Sequence, residues 1–257
     1  MPNELTLLIP YRQREKALSS FCEWLIYARN SEACPDVRIL LIEGSPAPTE
    51  KVCAIAAKAG IEYYFVENEG VFHKTRLLNF GLKLVSSSYV LAYDVDLIPY
   101  RNSLLRHLHL TKSSPLFLVT GYRLMLDRAS LIGSNLDEEI DRATIAPEDL
   151  PTALKKHLTS FEKFGVLPMF ETKLLQQLGG WDENFSGWGG EDQDLIERYS
   201  SLGFTLCKVP ELVYLHLHHD YELDWHSPEI LTRNRSYYYG KNQSKYDGSD
   251  IRGSSSS

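Results

Sequence analysis

The chain has 257 residues, 43% of them hydrophobic, and a formal net charge of −7 at pH 7. That is enough chain and enough apolar material for one large or two small domains with a sizeable core. The acidic balance excludes nucleic acid as the main partner, because phosphate binding needs a basic surface, but it leaves room for a nucleotide in a local site.

Leu5–Pro10 is a short apolar run ending at a proline, the pattern of a first strand, and Arg14 to Asn30 follows with helical spacing. Val37 to Glu43 reads as a buried strand, Gly44 to Pro48 as a loop, and Thr49 to Ala59 as a helix capped by its threonine. Glu62 to Val66 is a third strand, Phe72 to Val85 a helix and Tyr89 to Asp94 a fourth strand. Strand and helix alternating in this way predict a mainly parallel α/β sheet, with ligands at the carboxyl ends of its strands. No G-x-G-x-x-G follows the first strand, so a dehydrogenase-type dinucleotide fold is disfavoured. Beyond Asn102 the pattern changes: Leu116 to Tyr122 reads as a strand, 127–160 as a polar insertion, Thr172 to Leu178 as a short helix, and Leu206–Val209 and Val213–Leu217 as two strands. The polar tail from Arg233 is expected to fray. Cys22, Cys34, Cys53 and Cys207 lack C-x-x-C spacing and read as reduced thiols of a cytosolic protein. No signal peptide and no apolar run of roughly 18 residues is found. A cytoplasmic protein follows, touching a membrane only from outside, with Tyr237 to Lys245 the candidate contact.

Five stretches carry the chemistry. In Phe185-Ser-Gly-Trp-Gly-Gly-Glu-Asp-Gln-Asp, glycines surround Trp188 and a helix opens on Glu191, Asp192 and Asp194. An indole platform beside carboxylates suits a sugar, and the helix dipole is expected to keep those acids ionised. Asp94-Val95-Asp96 leaves the fourth strand with two carboxylates spaced to share a face, a pattern for a metal or ribose site. His216 and His218 also share the face of a predicted strand, and His219 points away; strand register decides between His218 and His219 as a ligand. Imidazoles with a carboxylate and phosphate oxygens fit Mn²⁺ better than an all-oxygen Mg²⁺ site. At Pro10-Tyr11-Arg12-Gln-Arg14 the arginines suit a base or phosphate and the tyrosine suits stacking; Lys74 and Arg76, at a helix start, suit an anion.

Taken in order, Ile9-Pro-Tyr-Arg-Gln-Arg14, Val71-Phe-His-Lys-Thr-Arg-Leu-Leu-Asn-Phe-Gly81, Asp94-Val-Asp-Leu-Ile-Pro99 and Gly179-Gly-Trp-Asp-Glu-Asn-Phe185 leading into Gly187-Trp-Gly-Gly-Glu-Asp192 resemble the β-1,4-galactosyltransferase group of metal-dependent inverting glycosyltransferases. The resemblance implies a GT-A fold, with a mixed, mainly parallel central sheet flanked by helices. It implies one catalytic domain over 1–232, with 1–100 as the nucleotide half, 101–232 as the sugar half and 233–257 as a flexible tail. It implies that Pro10, Tyr11, Arg12, Arg14, Arg76, Asp94 and Val95 face the nucleotide, and that Asp96, His216 and His218 hold Mn²⁺. Trp188, Gly189, Gly190 and Glu191 would meet the sugars, and Asp192 would be the general base. The acceptor would also meet Ser134 to Thr159. Ser186 stands where the group has a tryptophan and Gln193 where it has a third acid, which leaves the donor sugar and acceptor open. The group's Golgi members carry a membrane-anchor stem that is missing here, so a bacterial-type soluble enzyme is expected. The expected reaction is transfer of galactose or N-acetylgalactosamine from a UDP-sugar to a glycan, glycolipid or polysaccharide hydroxyl. The competing readings are a metal-dependent hydrolase using Asp96 or Asp220 with His216 and His218, and a silent sugar-nucleotide-binding module.

Overall fold

The computed structural model describes residues 3–30, 34–131, 136–149, 167–219 and 227–247. Its first part runs β1 (Leu5–Tyr11), α1 (Glu15–Arg29), β2 (Val37–Ser45), α2 (Glu50–Lys58), β3 (Glu62–Glu67), α3 (Lys74–Leu82) and β4 (Tyr89–Ala92). β1 is buried at every position because both faces of the sheet are covered. Its residues alternate between two cores. Leu7 and Ile9 pack with Leu18, Phe21 and Leu25 of α1, whereas Leu8 joins Leu40, Ile42 and the α3 residues Leu77 and Leu78.

The sheet order is β3-β2-β1-β4-β8, parallel through β4, with the short β8 (Met169–Glu171) antiparallel at the edge. β1 lies between β2 and β4, so the connections that follow β1 and β4 diverge and open a crevice at their carboxyl ends.

A second sheet has the order β5-β9-β6-β7, from Leu97–Pro99, Thr205–His216, Phe117–Met125 and Thr144–Ile145. The remaining helices are α4 (Ser103–Ser113), α5 (Leu136–Ile140), α6 (Thr172–Gln177), α7 (Glu191–Ser201) and α8 (Pro228–Asp247). Together the elements form the expected mixed α/β architecture, with a mainly parallel central sheet flanked by helices.

Several local expectations change. The two strands expected near residue 210 are one, β9; its pairing with β6 slips between Thr120 and Tyr122, and Pro210 falls in the unpaired stretch. Gly121 sits at the slip, where an added Cβ would lie 2.3 Å from the Leu212 carbonyl oxygen, so only glycine fits. Thr49 does occupy the N-cap of α2, but its hydroxyl donates to Glu43 Oε1 at 2.6 Å and caps nothing. The tail does not fray from Arg233: α8 continues to Asp247, with Asn234 and Tyr238 each 1% exposed. The insertion near 127–160 and the stretch Ser134 to Thr159 lie partly outside the described residues, as do Asp220 and the last ten residues of the tail. All four cysteines are free, and among the described residues no helix is long and apolar enough to cross a membrane.

Candidate functional site

The crevice at the carboxyl ends of β1 and β4 is lined by Pro10 near the end of β1, by Arg12 and Arg14 in the turn that follows it, and by Asp94, Val95 and Asp96 from the β4–β5 turn. Phe72 and Lys74 come from the start of α3, Arg123 from β6, Gly187, Trp188 and Glu191 from the glycine loop, and His216 and His219 from the end of β9.

Arg12 is the floor. Its guanidinium donates to the carbonyls of Gly44 (2.5 Å), Gly70 (2.6 Å) and Asn68 (2.7 Å), and lies 5.2 Å from the centre of the Phe72 ring. It ties the end of β2 to the loop before α3, a structural task beside the nucleotide contact expected of it. Tyr11 is not a stacking platform: it is 1% exposed, and its hydroxyl accepts the Arg14 backbone N–H at 3.2 Å. The sequence pattern missed this because β1 extends one residue beyond Pro10 and carries the ring into the core. Arg76 is exposed on α3 and does not line the crevice.

The two aspartates after β4 do not share one partner. The strand ends at Ala92, and the chain turns through Asp94 to Asp96. The alternation that holds on an extended backbone therefore no longer applies. Asp94 faces Lys74, whose Nζ lies 3.3 Å from its Oδ1 and 3.7 Å from Glu191 Oε1. Burial opposes the charge on Lys74, but Asp94, Asp192 and Glu191 together raise its pKa above the usual lysine range. Lys74 is thus the cationic centre of three acids. Burial, reinforced by the Asp192 charge, pushes the Glu191 carboxyl up to about 7; burial also raises Asp192, against the pull of Lys74. This reverses the expectation that the helix dipole keeps these acids ionised: withdrawal from water outweighs the dipole. The third acid, Asp194, is buried and structural, paired with Arg198 at 3.0 Å and Lys241 at 2.7 Å.

Asp96 faces the histidines. Its Oδ1 lies 3.7 Å from His216 Nε2 and its Oδ2 3.2 Å from His219 Nε2, and one donor atom from each of the three residues falls within 4.8 Å of the others. Burial opposes the Asp96 charge, but His216 and His219 outweigh it and bring the carboxyl down to about 2. Burial lowers His216, against the opposing pull of the Asp96 charge. The buried atoms Asp96 Oδ1 and His216 Nδ1 have no hydrogen-bond partner. Orphaned donor atoms on one carboxylate and one imidazole, with a second imidazole alongside, fit a first-row divalent cation. The expected third ligand, His218, is outside the cluster. β9 ends at His216, so the two-residue period stops there; His218 is exposed with its N–H bonded to Arg128 O at 2.8 Å, and His219 takes the inward place. We expect His219→Ala to cut Mn²⁺ affinity by more than the roughly 10–100-fold that a lost supporting contact costs, and His218→Ala to leave it within twofold of wild type by calorimetric titration. Loss in His218→Ala alone would restore the His216–His218 pair.

Trp188 is 46% exposed at the rim. Gly187, Gly189 and Gly190 flank it at φ of 72°, 100° and 94°, and Gly190 caps α7. The Gly189 N–H donates to Glu191 Oε2 at 3.1 Å, so the loop and the first helical acid are one unit. Asp192 is half-buried one residue further on. The sequence reading missed Arg123, a lone cation in a β-strand; Asp149 accepts its backbone N–H at 2.9 Å.

A family model described as the N-terminal domain of galactosyltransferase matches residues 152–220, the part containing the glycine loop and His216. No curated protein matches the chain by sequence. Among solved structures, the chain is similar to the mannosyltransferase PcManGT from Pyrobaculum calidifontis in complex with GDP-Man and Mn²⁺, with a TM-score of 0.60 and 16% identity over 100% of this chain and 66% of that one. It is also similar to the catalytic domain of Drosophila β1,4-galactosyltransferase 7 in complex with xylobiose, with a TM-score of 0.52 and 17% identity over 84% of this chain and 71% of that one. The chain therefore spans just under two thirds of the mannosyltransferase. At these identities the likeness establishes a GT-A glycosyltransferase fold.

Proposed function

We propose that the chain is a metal-dependent, inverting glycosyltransferase of the β-1,4-galactosyltransferase type. It would move galactose or N-acetylgalactosamine from a UDP-sugar to a carbohydrate hydroxyl. The observation that carries this reading is the joining, in one crevice, of an Asp–His–His cluster with an indole and the buried acid Glu191, whose carboxyl is raised; Asp192, next to it on α7, is raised too and feels the charges of Lys74, Asp94 and Arg123. The fold, the galactosyltransferase match over the loop, and neighbours bound to GDP-Man with Mn²⁺ and to xylobiose support it.

Asp96, His216 and His219 would hold the ion. Bound there, Mn²⁺ supplies positive charge beside a departing diphosphate. Arg14 and Arg123, which line the same side of the crevice, add fixed positive charge. Asp94 and Val95 face the nucleotide end. Trp188 offers a face for a sugar ring, and Glu191, poised near neutrality, exchanges hydrogen bonds with sugar hydroxyls. Asp192 takes the proton of the attacking acceptor hydroxyl as it approaches the anomeric carbon from the face opposite the leaving group. A single displacement gives a β-linked product from an α-linked donor. The enzyme would act in the cytoplasm, with any membrane contact peripheral. Tyr237 and Lys241, expected to serve that contact, instead reach Asp182 at 2.9 and 2.7 Å.

The test is a panel of UDP-galactose, UDP-N-acetylgalactosamine, UDP-glucose, UDP-xylose and GDP-mannose with Mn²⁺, read by thermal shift and by product formation on glycan acceptors. A Mn²⁺-dependent shift and transfer with a UDP-sugar is expected. Binding of no nucleotide sugar with any divalent ion would overturn the reading. Donor hydrolysis that no acceptor diverts would favour a hydrolase.

A further inference from the structure

The glycine loop is braced mainly by residues outside it. Three of its residues have positive φ, and the Trp188 ring stands 46% exposed outside the core. The direction of the indole therefore depends on what fixes the peptides on either side of it. On the α3 side, Gly187 N–H donates to Phe72 O at 2.9 Å and the Thr75 hydroxyl donates to Phe185 O at 2.8 Å. The loop carbonyls are met by α8. Asn234 Nδ2 donates to Ser186 O at 3.1 Å and to Trp188 O at 3.0 Å, so one side-chain amide brackets the indole. Asn234 is itself 1% exposed, and its Oδ1 accepts from Arg233 at 3.1 Å. The same Arg233 nitrogen donates to Ser186 O at 2.6 Å and Ser186 Oγ at 2.8 Å. Tyr237 packs edge-on against Phe185 with ring centres 5.0 Å apart, and Lys241 joins Asp182 to Asp194 at 2.7 Å each. Leu231 closes the space above Gly189, where an added Cβ would meet its Cδ1 at 3.1 Å.

We propose that α8 is a clamp for the glycine loop, with Asn234 and Arg233 as positioning residues that set the direction of Trp188 and the place of Glu191. Ser186 belongs to the clamp: a large side chain there would meet the Arg233 guanidinium. The choice of serine at 186 and arginine at 233 is one paired feature that shapes the acceptor side of the crevice. The link to acceptor binding rests on the glycosyltransferase reading; the clamp itself does not.

Hydrogen–deuterium exchange on the full chain tests it, with Asn234→Ala and, as a milder exposed variant, Arg233→Ala. Exchange over 185–191 is expected to rise about tenfold in Asn234→Ala and less in Arg233→Ala, while β1, β2 and β4 keep their protection. In kinetics, acceptor KM rises about tenfold with donor KM little changed, the signature of a displaced platform. Unchanged loop exchange in a folded Asn234→Ala, or a uniform rise over the whole chain in both variants, overturns the clamp. A change in donor KM equal to that in acceptor KM overturns its assignment to the acceptor side. If wild type transfers no sugar, the glycosyltransferase reading fails and the exchange result stands by itself.

Discussion

Asp192→Asn should lower turnover by roughly 10²–10⁴-fold, the usual cost of losing a general base, and leave the donor-induced thermal shift in place. Asp192 stands apart from the other acids in and around the crevice. Asp94 is tied to Lys74 at 3.3 Å, and Asp194 is locked between Arg198 and Lys241. Glu191 is buried, and its carboxylate accepts the Gly189 N–H. Asp192 is half-buried in the first turn of α7, and its pKa is raised by burial despite Lys74. A raised carboxyl is a stronger base than a solvated one, which brings it nearer the working pH. The base acts when deprotonated, so kcat/KM should rise with pH through the titration of the coupled Glu191–Asp192 pair, on a limb above the usual carboxylate range because burial raises both. Asn at 192 keeps the size and removes the basicity. Steady-state kinetics across pH 5–9 decide the point. Unchanged kcat, or an acid limb that persists unaltered in the variant, would remove Asp192 from the role.

How far the molecule was legible depended on what holds each part. β1 and β2 were readable because they are continuous apolar runs, and burial on both faces leaves a strong signal; β3 and β4, shorter and less buried, were marked by the helical stretches between them. α4 was not, because its inner face buries Ser103, His107 and Thr111. His107 is made tolerable by its tertiary partners: its Nε2–H donates to Val119 O, and its Nδ1 accepts from the Tyr214 hydroxyl, each at 2.8 Å. Burial holds it neutral, with its pKa pushed down to about 4. α8 hid for a similar reason. Its polar contacts run from Asn234 to the glycine loop and from Tyr237 and Lys241 to Asp182 and Asp194, and hydrophobic periodicity cannot register hydrogen bonds and ion pairs. In the site, Asp96, His216, Trp188 and Glu191 were visible in the spacing of the motifs. His219 and the separation of Asp94 from Asp96 were not, because both follow from where a strand stops. β4 ends two residues before Asp94, and β9 ends at His216.

The cationic centre of the site yields the largest expected stability effect. Lys74→Met should destabilise the protein by about 3 kcal/mol at pH 8, the lower end of what breaking a buried charge arrangement costs. That corresponds to roughly 6–12 °C in Tm for a chain of this size. The lower end applies because the Asp94 side chain is 41% exposed and can be rehydrated, whereas Glu191 at 6% cannot. The penalty should depend on pH, and the sign follows from the acids. Lys74 itself, with a folded pKa raised by its three acids, keeps its full contribution below the unfolded lysine value near 10.4 and is constant over pH 5–9. Glu191 behaves in the opposite sense. Its folded carboxyl, at about 7, holds a proton that the unfolded chain releases near 4.3, so wild-type stability declines as pH rises between those values. Without Lys74 the Glu191 and Asp192 carboxyls are pushed higher still, and the decline steepens and continues past pH 7. Near pH 5 Glu191 is protonated, Lys74 has one less carboxylate to neutralise, and the gap to wild type should narrow. Lys74→Arg, which keeps the charge, should show a smaller gap with little pH dependence. Melting curves of the three proteins at pH 5 and pH 8 provide the measurement. An equal gap for Lys74→Met at both pH values would mean that the lost packing of the lysine stem, and not the three carboxylates it neutralises, accounts for its place in the crevice.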